Sequence, residues 1–383
     1  MENINSEEGF QYKLTSLAGG KVIISGEHSV VYGKPAIAFS IDKYTKMDLK
    51  CYQKFQSSKD FASINLIDLN KNIIVTKSEL IDYIKNIITN YDNYSNDKYK
   101  KHLIYAIINI LKSLESKNIS KEKIVQFINN HYFIVSISSE IPIGFGLGSS
   151  AAFNVCIING ICTLINKLFK NKIFEQNEIL KLSNEGEKIF HNGTPSGIDV
   201  SCSLLGGIII FKNINDKGNL IINPKNFFYE RIKFLLIDTK IGRNCGEFVK
   251  IVSEYKNNNA KEFSSTIDEI ENVTNDIIKL LSENNSDEKS CSCFFELIKQ
   301  NQRLLKKICV SNDEIDKIIT LLEQNNFVGK ISGAGGGGFI IAFCLKEKIN
   351  DLIKLLDENE IKYINVNISK ESAKIIDLET NKT

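Results

Sequence analysis

The sequence predicts an α+β fold of two domains, and three observations lead to that prediction. The chain has 383 residues, and a domain usually takes about 100 to 200 residues. Hydrophobic residues make up 43% of it and charged residues 25%, as in a globular protein with a sizeable core. Strand-like and helix-like segments alternate, and the pattern changes near residue 226. We therefore expect one domain over residues 1–226 and a second over residues 227–383.

The individual elements follow from hydrophobic periodicity. Short apolar or alternating runs rich in β-branched residues predict strands at 21–25, 36–41, 132–138, 208–211, 232–237, 330–332, 339–345 and 363–368. Apolar residues at helical spacing predict helices at 103–114, 150–168, 246–281, 294–308, 314–324 and 347–356. The helix at 150–168 is apolar nearly all round, which favours a buried central helix over a membrane span. Polar stretches predict surface loops at 53–60, 90–101 and 282–292.

Charge and cysteine content exclude several classes of function. The formal net charge is +2, so no strong basic field is available to hold a nucleic acid or an acidic membrane. The 9 cysteines form no C-x-x-C pair, which argues against a disulfide framework and a zinc site. The first nine residues lack the basic and apolar regions of a signal peptide. We expect a reducing, cytoplasmic environment.

A glycine-rich loop at 142–152 runs directly into the predicted buried helix. Glycine permits close backbone approach, and the first N–H groups of a helix are unpaired and partly positive. Together they form a cradle suited to phosphate. No lysine follows the last glycine, so this is not a Walker A loop. The alternative is a tight loop in which a serine caps the helix.

A second glycine run lies at 333–338. Gly333, Gly335 and Gly338 match the G-x-G-x-x-G spacing, but a β-rich run follows where a dinucleotide-binding loop requires a helix. So many glycines are costly in chain entropy, and a simple hairpin needs only one or two. We expect close backbone approach to a ligand or to another loop.

Candidate acid and base groups lie around a Gly/Pro-rich turn. Asp199 follows the turn and could orient or deprotonate a hydroxyl, while Glu187 precedes it and could hold Mg²⁺ with a nucleotide. Asp199 could instead cap the next helix. Lys21, beside a short strand, and His28, in a polar turn, are further candidates, although a surface lysine and a structural histidine are the ordinary alternatives.

Taken in order along the chain, these segments resemble the GHMP kinase superfamily, which includes galactokinases, homoserine kinases, mevalonate kinases and phosphomevalonate kinases. Within it, residues 20–36 and 191–199 are most similar to the mevalonate kinases. The resemblance implies an N-terminal ATP-binding domain like domain 2 of ribosomal protein S5. It also implies a ferredoxin-like C-terminal domain, with the site in the cleft.

The resemblance also implies roles for individual residues. Asp199 and Lys21 would be catalytic, and Glu27 and His28 would line the substrate site. Ser150 and Glu187 would hold Mg²⁺, with Glu185 as the alternative because the spacing to Asp199 is shifted by one residue. The residues expected to contact ATP are Pro142, Gly144, Gly146, Leu147, Gly148, Ser149, Ser150, Ala151, Gly333 and Gly335.

The expected activity is transfer of the terminal phosphate of ATP to mevalonate, with Mg²⁺ as cofactor. The partners are then small molecules, without nucleic acid or membrane, and the resemblance suggests a homodimer. Two alternatives stay open. One is another GHMP kinase, acting on phosphomevalonate or a sugar. The other is a non-catalytic regulator that binds ATP or a sugar.

Overall fold

The computed structural model describes residues 10–53, 59–85, 96–191, 196–211, 220–222, 231–241, 245–283, 287–371 and 373–380. Two β-sheets organise these residues, each with helices packed on it. The strands, in chain order, are β1 Tyr12–Ser25, β2 Ala36–Gln53, β3 Asp60–Leu66, β4 Lys71–Thr76, β5 His131–Ser139, β6 Ile208–Phe211, β7 Leu220–Ile222, β8 Ile232–Asp238, β9 Val328–Ile331, β10 Phe339–Leu345, β11 Tyr363–Val366 and β12 Lys374–Thr380.

The described helices pack mainly through their apolar faces, as the sequence periodicity requires. They are α1 Lys77–Ile84, α2 Lys98–Ser116, α3 Lys121–Asn130, α4 Ser149–Leu168, α5 Gln176–His191, α6 Ile198–Leu205, α7 Cys245–Asn258, α8 Ala260–Ser282, α9 Glu288–Lys307, α10 Asp313–Gln324 and α11 Ile349–Glu358. Short 3₁₀ turns lie at Ser29–Tyr32, Ile67–Leu69 and Lys346–Lys348.

The larger sheet has eight strands in the described part of the chain, with a main path β12-β1-β2-β5-β3-β4. β6 pairs with β2 and β7 extends that branch. Neighbours are antiparallel except β3 and β5, which run parallel. The smaller sheet has the order β11-β8-β10-β9 and is antiparallel throughout. The last strand, β12, returns from beyond the smaller sheet to pair with β1.

Helix α4 packs against strands β1 and β2 of the larger sheet and against helix α5. It is long and apolar enough to cross a membrane by composition, yet 67% of its apolar window is buried inside the fold. The prediction of a buried central helix is therefore confirmed. Each cysteine whose side chain is described is a free thiol.

Several predicted elements differ from the structure. The strands predicted at 21–25 and 36–41 are the ends of the much longer β1 and β2. The helix predicted at 246–281 is two helices, because the chain breaks at Asn259 between α7 and α8. Helix α2 begins at Lys98, capped by Asp97, inside the stretch predicted as a loop. The position of the domain boundary, residue 226, lies outside the described residues.

Candidate active site

The glycine loop at 142–148 ends where α4 begins at Ser149. The residue that precedes the helix is Gly148, with φ 74°, and no side chain caps the helix. The serine-cap alternative is therefore not what the fold uses. A Cβ on Gly148 would lie 2.9 Å from Cγ of Lys21, so glycine here leaves room for the lysine side chain to pass under the loop.

Lys21 joins three segments that are far apart in the sequence. It lies on β1 and is buried, and its Nζ is 3.1 Å from Oδ1 of Asp199. The same ammonium donates to the carbonyl of Gly146 at 3.3 Å. Asp199 is the second residue of α6 and not its cap, since Gly197 precedes the helix. The ion pair thus places a buried cation and a partly exposed carboxylate beside the glycine loop.

Ser150 and Glu187 come together at the start of α4. The hydroxyl of Ser150 donates to Oε1 of Glu187 at 2.6 Å, and Glu187, on α5, is 1% exposed. Glu185, in contrast, forms an ion pair with Lys188 at 2.8 Å on the surface of the same helix. Between the two glutamates, the one beside the glycine loop is Glu187.

Glu27 and His28 occupy the turn after β1. The imidazole Nε2 of His28 lies 3.0 Å from the carbonyl of Ala334, in the second glycine segment, and the residue has a φ of 59°. Glu27 is buried and forms an ion pair with Lys330 of β9, in the smaller sheet. The turn is therefore held between the two sheets.

A cavity of about 350 Å³ opens at this junction. Its polar lining includes Lys21, Glu27, His28, Ser150 and Asp199. Its other wall is apolar and is formed by Ile23, Val30, Val31, Ile198 and Val252. We call it the acceptor cavity.

A second cavity of about 250 Å³ lies on the other side of the glycine loop. The two cavities share Gly144, Ser149 and Ser150, so the start of α4 forms the lip between them. The residues that line this second cavity are mainly apolar and aromatic, which suits a flat ring system. We call it the base cavity, and its apolar and aromatic residues are Leu66, Leu69, Tyr99, Ile137, Ile143, Phe153 and Phe190.

The second glycine run supports this site in part by packing on protein. Gly333 lines the acceptor cavity, but a Cβ on Gly335 would lie 2.4 Å from the carbonyl oxygen of Val310. Close approach to another segment therefore explains Gly335. Strand β10 follows the run, as predicted, and its Phe339 contacts Phe145 of the first glycine loop at 5.6 Å between ring centroids.

Not every predicted site residue lines a cavity. Leu147 and Ala151 are buried, and neither they nor the half-buried Pro142 are part of either lining. Sequence reasoning missed Lys330 and the base cavity altogether. Lys330 stood in the short strand predicted directly before the second glycine run, where only the glycines were singled out. The aromatic residues of the base cavity come from segments that are distant in sequence.

Comparison with known proteins gives a family for this arrangement. Residues 103–207 match the family model described as GHMP kinases N terminal domain, and residues 278–359 match the one described as GHMP kinases C terminal. The first match includes the start of α4, Glu187 and Asp199. The second includes Lys330 and the second glycine run.

Individual relatives extend the match over nearly the whole chain. A mevalonate kinase of Methanocaldococcus jannaschii is 31% identical over 346 residues, which covers 90% of this chain and 96% of that protein. A mevalonate kinase of Arabidopsis thaliana is 29% identical over 370 residues, covering 90% and 93%. The crystal structure of the Methanococcus jannaschii mevalonate kinase superposes with a TM-score of 0.71 at 26% identity, over 94% of this chain and 99% of that one. The predicted fold class and family resemblance are confirmed.

Proposed function

The chain belongs to the GHMP kinase family, and we propose that it is a mevalonate kinase, which transfers the terminal phosphate of ATP to mevalonate. The products are ADP and 5-phosphomevalonate. The observation that carries the proposal is the ion pair of Lys21 and Asp199, 3.1 Å apart, beside the loop at the lip between two cavities.

The transfer step uses this pair directly. The Asp199 carboxylate accepts the proton of the acceptor hydroxyl, and the Lys21 ammonium stabilises the negative charge that develops on the oxygen. That oxygen forms a bond to the γ-phosphorus as the bond from phosphorus to the bridging oxygen breaks, and ADP leaves. Phosphoryl transfer depends mainly on positioning and charge neutralisation. A buried lysine fixed by Asp199 and Gly146 meets that need.

ATP would lie across the lip, with its adenine in the base cavity and its phosphates at the start of α4. The glycine loop and the first N–H groups of the helix suit the phosphates. The Ser150 hydroxyl and the Glu187 carboxylate supply the hard oxygen ligands that Mg²⁺ prefers, and their 2.6 Å contact makes them one site. Bound there, Mg²⁺ would neutralise phosphate charge. We assign this role to Glu187 because Glu185 is paired at the surface.

The acceptor cavity favours a small, partly hydrocarbon alcohol. Among its described lining residues, Lys21 is the one lysine or arginine, and it is already paired with Asp199. Phosphomevalonate adds a phosphate to the single carboxylate of mevalonate and would therefore need more cations than mevalonate does. A sugar would need polar partners where Ile23, Val30 and Val252 lie. The presence of a paired Lys21 and Asp199 also argues against a non-catalytic regulator.

The first test is ADP release from the purified protein with Mg²⁺-ATP and mevalonate, phosphomevalonate, galactose or homoserine. We expect turnover with mevalonate, and Asp199→Asn should lower kcat by about 10² to 10⁴, as loss of a general base does. Asp351→Asn, which changes an exposed acid on α11, is the matched control and should leave kcat unchanged. Turnover with one of the other alcohols but not with mevalonate would refute the substrate assignment. An unaltered kcat in Asp199→Asn would refute the role of Asp199 as the proton acceptor.

A further inference from the structure

Lys330 is a fully buried lysine beneath the acceptor cavity, and the transfer step above does not use it. Its side chain is 0% exposed, although lysine is rarely buried unless it is paired. Its ammonium donates to the carbonyl of Ile23 at 3.3 Å, to the carbonyl of Ile331 and to the Glu27 carboxylate. Three acceptors around one nitrogen require three protons, which a lysine carries only in its charged form.

Glu27 connects this lysine to the cavity. Its Oε1 takes the hydrogen bond from Lys330, whereas its Oε2 is buried and has no hydrogen-bond partner among the described residues. Glu27 also lines the acceptor cavity next to Lys21 and His28. An unsatisfied carboxylate oxygen is costly when buried, so a ligand hydroxyl that reached it would recover a hydrogen bond.

The ionisation of Glu27 depends on its neighbours. Burial raises its pKa, and the positive charge of Lys330 opposes that rise. Burial likewise lowers the pKa of Lys330, and the charge of Glu27 opposes it. The other charged or titratable groups around Glu27 in the described chain are Lys21 of β1, with Asp199 of α6 behind it, and the adjacent His28. Two residues before Glu27, Ser25 meets the neutral polar groups of Thr274 on α8 and Asn301 on α9. The acids that α8 directs toward this turn, Asp268 and Glu271, are paired with Lys34.

We propose that Lys330 is a positioning residue, which keeps the Glu27 carboxylate charged and fixed so that its second oxygen accepts a hydrogen bond from the acceptor alcohol. The inference rests on the proposed function for the identity of that alcohol. Lys330 touches no substrate itself. It acts from the smaller sheet on a wall of the site that belongs to the larger sheet.

A double-mutant cycle on KM for mevalonate tests the proposal. Lys330→Met should raise KM by about 10- to 100-fold at pH 7, the effect of losing a hydrogen bond to a charged group, with a smaller change in kcat. KM should fall again as the pH is raised, because Glu27 without Lys330 ionises only above its raised pKa. Glu27→Gln should raise KM similarly and without this pH dependence. In the Glu27→Gln background, Lys330→Met should add nothing.

An equal effect of Lys330→Met in both backgrounds would overturn the proposal, since Lys330 would then act independently of Glu27. Lys77→Met is the matched control. Lys77 is another buried lysine, it hydrogen-bonds the carbonyl of Asn129 at 2.9 Å, and it lines neither cavity. It should leave the KM for mevalonate unchanged.

Infrared spectroscopy of the unliganded full chain gives a second readout that does not depend on the substrate. A protonated Glu27 carboxyl gives a carboxylic acid C=O stretching band. The band is assigned to Glu27 if it is absent from Glu27→Gln. We expect no such band in the wild type at pH 7 and a band in Lys330→Met. A band in the wild type at pH 7 would overturn the proposal, even if Lys330→Met does not fold. Failure of the chain to phosphorylate mevalonate would refute the substrate assignment alone, since this spectrum is measured without it.

Discussion

His102 shows how a single residue in this fold ties stability to pH. It lies on α2, is fully buried, and packs against the rings of Phe153 and Phe190, with centroid distances of 5.6 and 4.4 Å. Both phenylalanines line the base cavity. Burial lowers the pKa of His102 to about 3, so the imidazole is neutral in the folded protein at any ordinary pH.

This burial predicts a loss of stability in mild acid. In the unfolded chain His102 takes up a proton below its ordinary pKa of 6.5, whereas the folded chain does not until about pH 3. Over that interval the unfolded state binds more protons, and the free energy of unfolding falls by up to about 1.4 kcal/mol per pH unit from this group. Urea unfolding at pH 6.5, 5.5 and 4.5 measures how steeply the free energy of unfolding falls with decreasing pH. His102→Gln should make this pH dependence weaker by that amount. An equal pH dependence of the free energy of unfolding in the wild type and in His102→Gln would contradict this prediction.

At the residue scale, the sequence singled out residues that stand in recognisable local motifs, and it did not single out residues whose surroundings depend on distant contacts. Asp199 and Lys21 could be singled out because each stands in a motif next to a glycine turn. Lys330 could not, because a lysine is usually exposed and its partner, Glu27, is 303 positions away in the chain. The burial of His102 was equally hidden, since no neighbouring residue in the sequence indicates it.

Among the elements, the pair α4 and α5 fixes the proposed metal ligands. The helices approach closely where Gly186 of α5 faces Asn154 of α4, and a Cβ on Gly186 would lie 2.4 Å from Oδ1 of Asn154. Asn154 is buried and donates to the carbonyl of Ser183. One residue after this contact, Glu187 meets Ser150. The spacing between these two helices therefore sets the distance between the two side chains.

Gly186→Ala should consequently weaken the binding of Mg²⁺. The added methyl pushes α5 away from α4, and we expect the Mg²⁺ concentration for half-maximal activity to rise about tenfold, the cost of roughly 1.4 kcal/mol. Mn²⁺ binding with ATP, followed by electron paramagnetic resonance, should weaken in parallel. Asn154→Ala/Gly186→Ala makes room for the methyl and should recover part of the loss. A single variant with wild-type metal dependence would show that the helix spacing is not the controlling factor.

The elements that the sequence predicted well are those whose own residues carry a clear apolar pattern. Helix α4 has a long apolar stretch, and strand β10 has a continuous apolar run, so each is defined by its own residues. The prediction for β1 was too short because Ser16, Gly19 and Gly20 interrupt the apolar pattern. In the structure the strand extends back to Tyr12. Pairing with β2 and β12 on its two sides compensates for that weak local preference.

In the whole molecule, the site is built where the two sheets meet, and several contacts hold them together around the turn after β1. Ser25 bonds Thr274 of α8 at 2.7 Å, and Lys34 forms ion pairs with Asp268 and Glu271 of the same helix at 2.9 and 2.7 Å. These contacts join residues more than 200 positions apart. Periodicity along the chain carries no information about them, which is why the sequence predicted motifs but not the cavities between them.

The return of the final strand to the first sheet gives the last prediction. Strand β12 covers the outer edge of β1, the strand that carries Lys21, through six registered residue pairs from Tyr12–Thr380 to Leu17–Lys374. Ending the chain after Glu371 removes this strand. The free energy of unfolding should then fall by about 3 kcal/mol or more, at roughly 1 kcal/mol per lost hydrogen bond, and kinase activity should be lost at a lower temperature. A chain that ends after Thr380 keeps β12 and is the matched control. Equal unfolding temperatures for the two truncations would mean that β1 is held in place by β2 and the helices alone, and that the last strand contributes nothing to the position of Lys21.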